Sequence, residues 1–317
     1  MNISCFSVHP HPAVLSQAAA DFIRKVGWRS LVILYEAEEG LVRLQEVIKM
    51  AKTFSGIKVT LRQLDSDSTD YRPLLKEIKK SEETRIVLDC DFSKIEMILQ
   101  QANEIELMTD YHNYLITSLD LDKVNIDPYT YMNVNITGFR MVNPDTNIVR
   151  KYLKKSPNRF LQGKSNPLYS QNAFMFDAVT VLAKALNNLD SLDDIRIQPL
   201  PDSCHHSQAV WPDGEKVLNY LHQVDTIGLT GEIRFDEQGF RTDIQLDLIE
   251  KVSRESGLNI SRTDCCIQVR GRFRKTANWT PDTGVNYTMT SEEIVTQMNE
   301  KLANRTLRVV TTPVKIF

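Results

Sequence analysis

Apolar and polar residues follow a repeating helix–strand pattern through the first third of the chain. Apolar side chains within residues 14–26 recur at the spacing of one helix face, and the run Leu31–Tyr35 that follows predicts a buried strand. Further helix patterns alternate with strand patterns at 57–61, 86–88 and 114–117. Strands that recur about every 28 residues are typical of βαβ units, which build a parallel sheet covered on both faces. The pattern therefore predicts an α/β fold.

The second half of the chain has a different pattern. A long helix is predicted over Ser170–Leu189, with one apolar face turned inward. Alternating apolar residues in Gly231–Asp236 and Ile244–Leu248, separated by a turn, predict a hairpin. Beyond Lys251 the periodicity fades, and only 292–302 reads as a further helix. This half therefore predicts fewer regular elements than the first.

The composition excludes several classes of function. Of the 317 residues, 42% are hydrophobic and 25% are charged, as in an ordinary globular protein. The formal net charge of −3 leaves no excess of Lys and Arg for phosphates, which argues against nucleic acid as a partner. No stretch approaches the roughly 18 apolar residues of a membrane helix, and the start MNISCFSVHP does not read as a signal peptide. The basic run Arg270–Lys275 is interpreted as a solvated loop.

Sequons and cysteines bear on the compartment. Six Asn-x-Ser/Thr sequons occur, at Asn2, Asn135, Asn259, Asn278, Asn286 and Asn304. Chance alone gives roughly two or three, so the excess favours the secretory pathway, although unmodified Asn in polar loops remains an alternative. The five cysteines are an odd number, namely Cys5, Cys90, Cys204, Cys265 and Cys266. In a secreted chain this predicts a free thiol or an absent partner.

Signatures of catalysis and of metal binding are missing from the sequence. The first strand is followed by Tyr35–Glu38 rather than by a Gly-rich phosphate loop, and no G-x-S-x-G motif occurs. The adjacent His205 and His206 lack the spacing of metal ligands, so we expect no metal site, cofactor or enzymatic activity. Asp89–Asp91 follows a predicted strand, where parallel sheets place ligands. It is interpreted as a cleft contact or, preferably, as a buried thiol followed by a helix-starting acid.

A set of ordered sequence strings resembles the amino-terminal domain of kainate-type ionotropic glutamate receptors. These strings are Trp28–Tyr35, Gly40–Lys49, Arg62–Leu64, Pro73–Lys79, Leu88–Cys90, Thr117–Asp122, Asp127–Arg140, Gly228–Phe235 and Arg241–Leu248. The string DPYTYMNVNITGFR is the most specific of them, whereas G-x-T-G-x-x-x-F is shared widely among receptors with a type I periplasmic-binding-like fold. The resemblance implies that fold, with two lobes that each contain an open parallel sheet.

The resemblance also implies how the chain divides between the lobes. Segments 28–135 and 214–251 are expected to form the membrane-proximal lobe. Segments 1–27 and 136–213 are expected to form a partial membrane-distal lobe, truncated at its N-terminus, and 252–317 a linker toward an absent ligand-binding domain. Cys204 matches a cysteine that in the family pairs with one in the missing segment. We expect the incomplete lobe to leave an apolar face uncovered.

The function implied by the resemblance is assembly and modulation of a glutamate-gated channel, on the extracellular side of a postsynaptic plasma membrane. The implied partners are other receptor subunits, as a dimer and then a tetramer, together with synaptic proteins, while glutamate binds the absent domain. A cleft between the lobes would have walls at Tyr35, Asp89 and Ser118. The alternative function is an amino-acid-binding protein of the periplasmic-binding type. The expected glycosylation sites are Asn135, Asn278, Asn286 and Asn304.

Overall fold

The computed structural model describes residues 5–53, 56–155, 168–192, 214–252 and 272–288. The strands are β1 (Ser30–Tyr35), β2 (Lys58–Gln63), β3 (Arg85–Asp89), β4 (Asn113–Ile116), β5 (Asn135–Arg140), β6 (Thr226–Gly228), β7 (Gly231–Ile233), β8 (Leu246–Lys251), β9 (Phe273–Thr280) and β10 (Gly284–Tyr287). The α-helices are α1 (Pro12–Lys25), α2 (Glu38–Arg43), α3 (Gln45–Thr53), α4 (Arg72–Lys80), α5 (Phe92–Glu104), α6 (Asn147–Lys155), α7 (Ser170–Leu192) and α8 (Gly214–His222). Short 3₁₀ turns lie at Leu121–Lys123 and Asp127–Tyr129.

Eight of these strands form one open sheet. Its order is β10-β9-β8-β5-β4-β3-β1-β2, and strands β1 to β5 run parallel to one another. Strands β8, β9 and β10 extend the sheet in antiparallel fashion, while β6 and β7 pair separately. The four strands expected from the repeating pattern are β1 to β4. The α/β prediction with a mostly parallel open sheet is therefore confirmed.

Both faces of the parallel part of the sheet are covered by helices. Successive residues of β1 alternate between the faces: Val32 and Leu34 join a core with α4 and α5, whereas Leu31 and Ile33 join a core with α1 and α3. The central strand β3 is almost wholly buried along its length. A strand buried on both faces has to be apolar throughout, which explains why β1 and β3 read as unbroken hydrophobic runs.

Helix α5 begins with an acid at its N-cap. Ser93 and Glu96 match a capping box, but the N-cap is Asp91, whose Oδ1 accepts from the Ser93 N–H at 2.9 Å. Glu96 instead accepts from the backbone N–H of Asn125 at 2.7 Å. Ser93 and Glu96 therefore do not form a capping box, because a carboxylate two residues upstream takes the capping position.

The predicted hairpin between 231–236 and 244–248 does not form. Its first half contributes to β7, which pairs with β6, and its second half contributes to β8, which pairs with β5 and β9. The turn between them is closed by a bridge between Phe235 and Arg241 and by two backbone hydrogen bonds, Asp236 N–H to the Phe240 carbonyl and Thr242 N–H to the Arg234 carbonyl, but 244–248 does not pair with 231–236. Strand β8 is buried on both faces, so it gains more from the interior of the large sheet than from a solvated hairpin.

The basic run is also placed differently from its interpretation as a solvated loop. Phe273–Lys275 opens β9, next to the acidic residues of β8. The Lys275 Nζ lies 2.6 Å from the Asp247 Oδ1, and Arg274 stands opposite Glu250. The loop interpretation was wrong for these residues because opposite charges across the strands allow a basic segment to join a sheet.

The division into two lobes stays a prediction, although several of its segments meet on this one sheet. Helix α1, which was assigned to the distal lobe, packs on α3 and against the sheet. Strand β5 crosses the predicted boundary at 135/136, and β9 and β10 lie in the segment that was expected to be a linker. The sheet is therefore assembled from distant parts of the chain.

Helix α7 is buried along one face and exposes apolar residues on another. Phe174, Val181, Ala185 and Leu189 are buried as expected, but Leu182 is exposed. The exposed apolar residues are Met175, Phe176, Val179 and Leu182, at 65, 40, 69 and 45% exposure. We call these four residues the α7 stripe. Within the described ranges, no helix is long and apolar enough to cross a membrane.

The Trp279 side chain tests whether β9 and α1 belong to the same core. It is fully buried, and its indole N–H donates to the Asp21 Oδ2 of α1 at 2.9 Å. We expect Trp279→Ala to lower the free energy of unfolding by about 3–5 kcal/mol, from lost burial and the cavity left behind. Chemical denaturation measures this value. Tyr111→Ala is the control, because Tyr111 is 72% exposed; equal effects of the two variants would show that β9 is not in the core.

Candidate functional site

The three residues expected at a ligand cleft lie at one edge of the sheet. Tyr35 ends β1 directly beside Asp89 at the end of β3, and Ser118 follows β4 by two residues. Parallel strands bring their carboxyl ends to the same edge, so this juxtaposition follows from the topology. Tyr35 and Ser118 are half-buried, whereas Asp89 is buried.

Asp89 is fully engaged inside the protein. Its Oδ1 accepts from the Thr117 hydroxyl at 2.6 Å, and its Oδ2 accepts from the Arg43 Nη2 at 2.8 Å. The hydrogen bond to Asp89 raises the pKa of the Arg43 guanidinium, although burial opposes the rise. The pair ties α2 to the end of β3. Asp89 therefore acts here as an anchor for α2 rather than as a free group aimed at a ligand.

Two glycines allow close approach to buried carboxylates. A Cβ at Gly40 would lie 2.3 Å from the Asp89 Oδ2, and a Cβ at Gly228 would lie 2.4 Å from the Asp177 Oδ1. Any larger side chain would push the carboxylate away from its partners. Both glycines are therefore required by packing against an acid and not by backbone conformation.

A second polar cluster at this edge was missed in the sequence. The Glu36 carboxylate, just after β1, accepts from the Asp91 N–H at 2.8 Å and from the Lys94 ammonium, which also donates to the Ser66 carbonyl at 2.6 Å. Burial by itself raises the pKa of Glu36, but the Asp91 N–H and Lys94 outweigh it and hold the pKa below its ordinary value of 4.5. An acid after β1 and a lysine in the first turn of α5 were the available signal.

The Cys90 thiol beside this cluster is half-buried. Burial, reinforced by the nearby carboxylates of Glu36, Asp89 and Asp91, raises the pKa of Cys90 to about 12. A thiol with such a pKa is protonated at neutral pH and is neither a nucleophile nor a metal ligand there. The half-buried Cys90 and the N-cap Asp91 favour the interpretation as a thiol followed by a helix-starting acid, which stays a prediction.

The start of α7 is bound to the same edge. The Asp120 carboxylate accepts from the Ser170 N–H at 2.8 Å and from the Ser170 hydroxyl at 2.7 Å, while Lys123 lies 3.0 Å from its Oδ1. The Tyr169 ring packs on Phe92 at 5.6 Å between centroids. An acid at the first turn of a helix is favourable because it satisfies free N–H groups. This capping contact fixes α7 against the carboxyl edge.

A buried cluster joins α7 to the β6–β7 turn and to the start of the chain. The Asp177 carboxylate accepts from the N–H groups of Leu229 at 2.7 Å and Thr230 at 2.9 Å, and also from the Thr230 hydroxyl. That hydroxyl accepts from Arg241, which donates further to the Val8 carbonyl. Burial lowers the pKa of Arg241 to about 10, so the guanidinium stays charged at neutral pH. We call these residues the Asp177 cluster.

Comparison with known proteins places this arrangement in a family. The sequence pattern of the "Receptor family ligand binding region" matches residues 3–253. The chain belongs to this family. It is also 32% identical over 314 residues to "Glutamate receptor ionotropic, kainate 1" of Homo sapiens and to the same receptor of Macaca fascicularis. These matches cover 96% of the chain but 33% of each relative, so the chain spans about a third of their length.

The resemblance to kainate-type receptor amino-terminal domains is thereby confirmed, as is the periplasmic-binding-like fold. The matched relatives are receptors and not enzymes. Among the described residues, no group of three or more His, Cys, Asp or Glu side chains could hold a metal ion.

The sequons of this receptor-family chain differ in accessibility. Asn135 and Asn286 are exposed, although the Asn135 side chain donates to Asn113 at 2.8 Å. Asn278 is half-buried in β9 between Asp247 and Asn286, and its Oδ1 is buried without a hydrogen-bond partner. Asn278 is thus the least accessible of the three acceptors. The positions of Asn2, Cys204, Asn259 and Asn304 lie outside the described residues.

The depressed pKa of Glu36 predicts a pH-dependent contribution to stability. A carboxylate whose folded pKa lies below its ordinary value of 4.5 stabilises the fold above that pH, and the contribution is lost as the pH falls through the folded pKa. We expect Glu36→Gln to lower the free energy of unfolding by about 1 kcal/mol or less at neutral pH, and the two proteins to converge in acid. Urea unfolding across pH checks this, with the exposed Glu77→Gln as control; a difference independent of pH would contradict the assignment.

The Asp177 cluster predicts a larger and graded effect. Asp177→Asn keeps the volume but cannot accept from both N–H groups and the hydroxyl, so we expect a loss of about 3 kcal/mol in the free energy of unfolding. Thr230→Val removes only the hydroxyl and should cost less, about 1–3 kcal/mol. Asp190→Asn, on the exposed face of the same helix, is the control. If all three variants unfolded at the same urea concentration, the Asp177 cluster would not contribute to the stability of the fold.

Proposed function

We propose that this chain is an extracellular amino-terminal region of a kainate-type receptor subunit and serves subunit assembly and modulation rather than catalysis. The observation that carries the proposal is the similarity to kainate 1 receptors along 96% of the chain. The partners are then other receptor subunits, as a dimer and then a tetramer, together with synaptic proteins. Glutamate would bind a separate domain of the full receptor and not this region.

The geometry of the carboxyl edge favours this function over the alternative of an amino-acid-binding protein. Specific recognition of an amino acid needs polar groups that converge on the ligand. Asp89, Glu36 and Asp120 are instead bound to Arg43, Lys94 and Ser170, which leaves their hydrogen-bonding capacity largely used. Tyr35 and Ser118 remain as candidate cleft contacts. We therefore assign the edge mainly to holding α2, α5 and α7 in place.

The α7 stripe supports a contact with another polypeptide. Its four apolar residues are exposed along one face of a helix, and contiguous exposed apolar surface marks interaction sites in soluble domains. Burying the stripe against a second subunit would remove this surface from water. We propose a second receptor subunit as the occupant.

The surroundings of the domain follow from the same proposal. The chain would lie on the outer side of the plasma membrane, at the postsynaptic face in the parent receptor. Glycans would then be attached at Asn135, Asn286 and Asn304, with Asn278 the weakest acceptor because of its position inside the sheet. Cys204 would pair with a cysteine of a segment outside this chain.

Association is the property that tests this function. We expect the full chain, secreted from animal cells behind a borrowed signal peptide, to self-associate in sedimentation velocity. Val179→Asp should weaken the association about tenfold, because it places a charge in the buried contact. It should leave the melting temperature nearly unchanged, because Val179 is 69% exposed. Asn187→Asp adds the same charge elsewhere on α7 and is the matched control.

A second arm separates the two functions. A melting temperature that rises in a saturable way with L-glutamate would support the amino-acid-binding alternative, since a ligand of the folded state stabilises it by mass action. Equal weakening by both α7 variants, or a monomer at every concentration, would contradict the assignment of the stripe.

A further inference from the structure

A large cavity lies further along the same edge of the sheet, beyond β5, and its lining does not include Tyr35, Asp89 or Ser118. Its volume is about 900 Å³, and it is bounded by the β6–β7 turn, the first turn of α1, the loop after β5 and the turn between β9 and β10. Cavities of this size hold drug-sized ligands in proteins. None of the functions proposed above uses it.

Part of the cavity wall is apolar. The aliphatic side chains of Val14, Met141, Ile148 and Ile244 line it. At its mouth, Phe240 is 38% exposed and Ile227 is 64% exposed. Contact between these side chains and the hydrophobic body of a ligand would remove apolar surface from water, which favours binding. The apolar side chains therefore indicate that a ligand would have a hydrophobic part, but they do not indicate its charge.

The charges that line the cavity are mainly negative. Two cations line it, Arg241 and Lys275, together with five carboxylates. The carboxylates belong to Glu232, Asp236, Asp243, Asp247 and Asp282. The cations are not available to a ligand. The Lys275 Nζ is 2.6 Å from Asp247, and Arg241 gives its N–H groups to Thr230, to the Glu232 carbonyl and to the Val8 carbonyl.

Two of the carboxylates, those of Glu232 and Asp282, are free to bind a ligand, whereas those of Asp243 and Asp236 already have partners. Asp243 lies 3.6 Å from Arg234, and Asp236 accepts from the N–H groups of Gln238 and Phe240. Glu232 and Asp282 are exposed, and within the described part of the chain no ion pair engages either carboxylate. The Phe240 ring, which packs on His11 at 5.0 Å between centroids, also lines the cavity, and aromatic rings attract ammonium groups.

We propose that this cavity binds a small organic cation, a primary amine carried on a hydrophobic body. The body packs on the apolar side chains of the wall, and the ammonium group pairs with the free carboxylates of the lining. An acidic amino acid is disfavoured because its carboxylates would enter a region of excess negative charge. Such a site is separate from the contacts of subunit assembly and would let a ligand modulate the receptor through this domain.

Fluorescence titration of the full chain with dansylcadaverine tests the proposal. This probe joins a primary ammonium to a dansyl group, whose emission rises in an apolar environment. Dansylglycine has the same dansyl group but ends in a carboxylate. We expect saturable binding of dansylcadaverine that weakens with added salt, because exposed charges are screened, and little or no binding of dansylglycine.

Neutralising variants locate the ammonium group. Glu232→Gln and Asp282→Asn should each weaken dansylcadaverine binding about two- to fivefold, the range typical of exposed ion pairs. Glu237→Gln is the matched control, because Glu237 is exposed on the neighbouring loop but does not line the cavity. Circular dichroism checks that each variant is folded.

Three results would overturn the proposal. The first is equal or tighter binding of dansylglycine, which would show a purely hydrophobic or an anion-selective site. The second is equal weakening by Glu237→Gln, which would show a general effect of net charge. The third is no binding of dansylcadaverine to a folded chain. Because α7 lies outside the cavity, a failure here would leave the association test of the proposed function unaffected.

Discussion

The structure depends on one constraint: a parallel sheet that is apolar on both faces must be covered on both faces. Residues such as Val32 and Ile33 point to opposite sides of the same strand and are both buried. A single layer of helices would leave half of them in water. The positions of α1 and α3 on one face, and of α4 and α5 on the other, follow from this requirement. The long sequence distance between α1 and β9, which meet at Trp279, follows from it as well.

The same constraint concentrates the polar groups at the carboxyl edge. Side chains there cannot join the apolar cores, and several are buried by the helices that cover the sheet. Asp89 and Asp120 therefore need internal partners, which Arg43 and Ser170 provide. The edge that carries ligands in many α/β proteins is used here largely for attaching helices. This is the physical reason for preferring an interaction domain to an amino-acid-binding protein.

The antiparallel strands add buried charge to the sheet beside their apolar residues. Asp247 on β8 receives Arg140 from β5 on one oxygen and Lys275 from β9 on the other. Removing Asp247 would leave the buried Arg140 guanidinium without its ion-pair partner, which is costly. The three charges thus fix which strands neighbour β8. They also explain how a basic segment can be a strand, and they place the cavity beside it.

The sequence by itself determined the strands β1 to β4, their alternation with helices along the chain and the helix α7. The spacing of apolar residues that reveals these elements is a local property of the chain. It also placed Tyr35, Asp89 and Ser118 at one edge, since the carboxyl ends of parallel strands share an edge. Only the tertiary structure decided what these groups do. The partners of Asp89 and Asp177 come from distant segments, and β8 left its expected hairpin for a place between two distant strands. Pairing and burial are set by competition among all segments, and a local pattern does not contain that information.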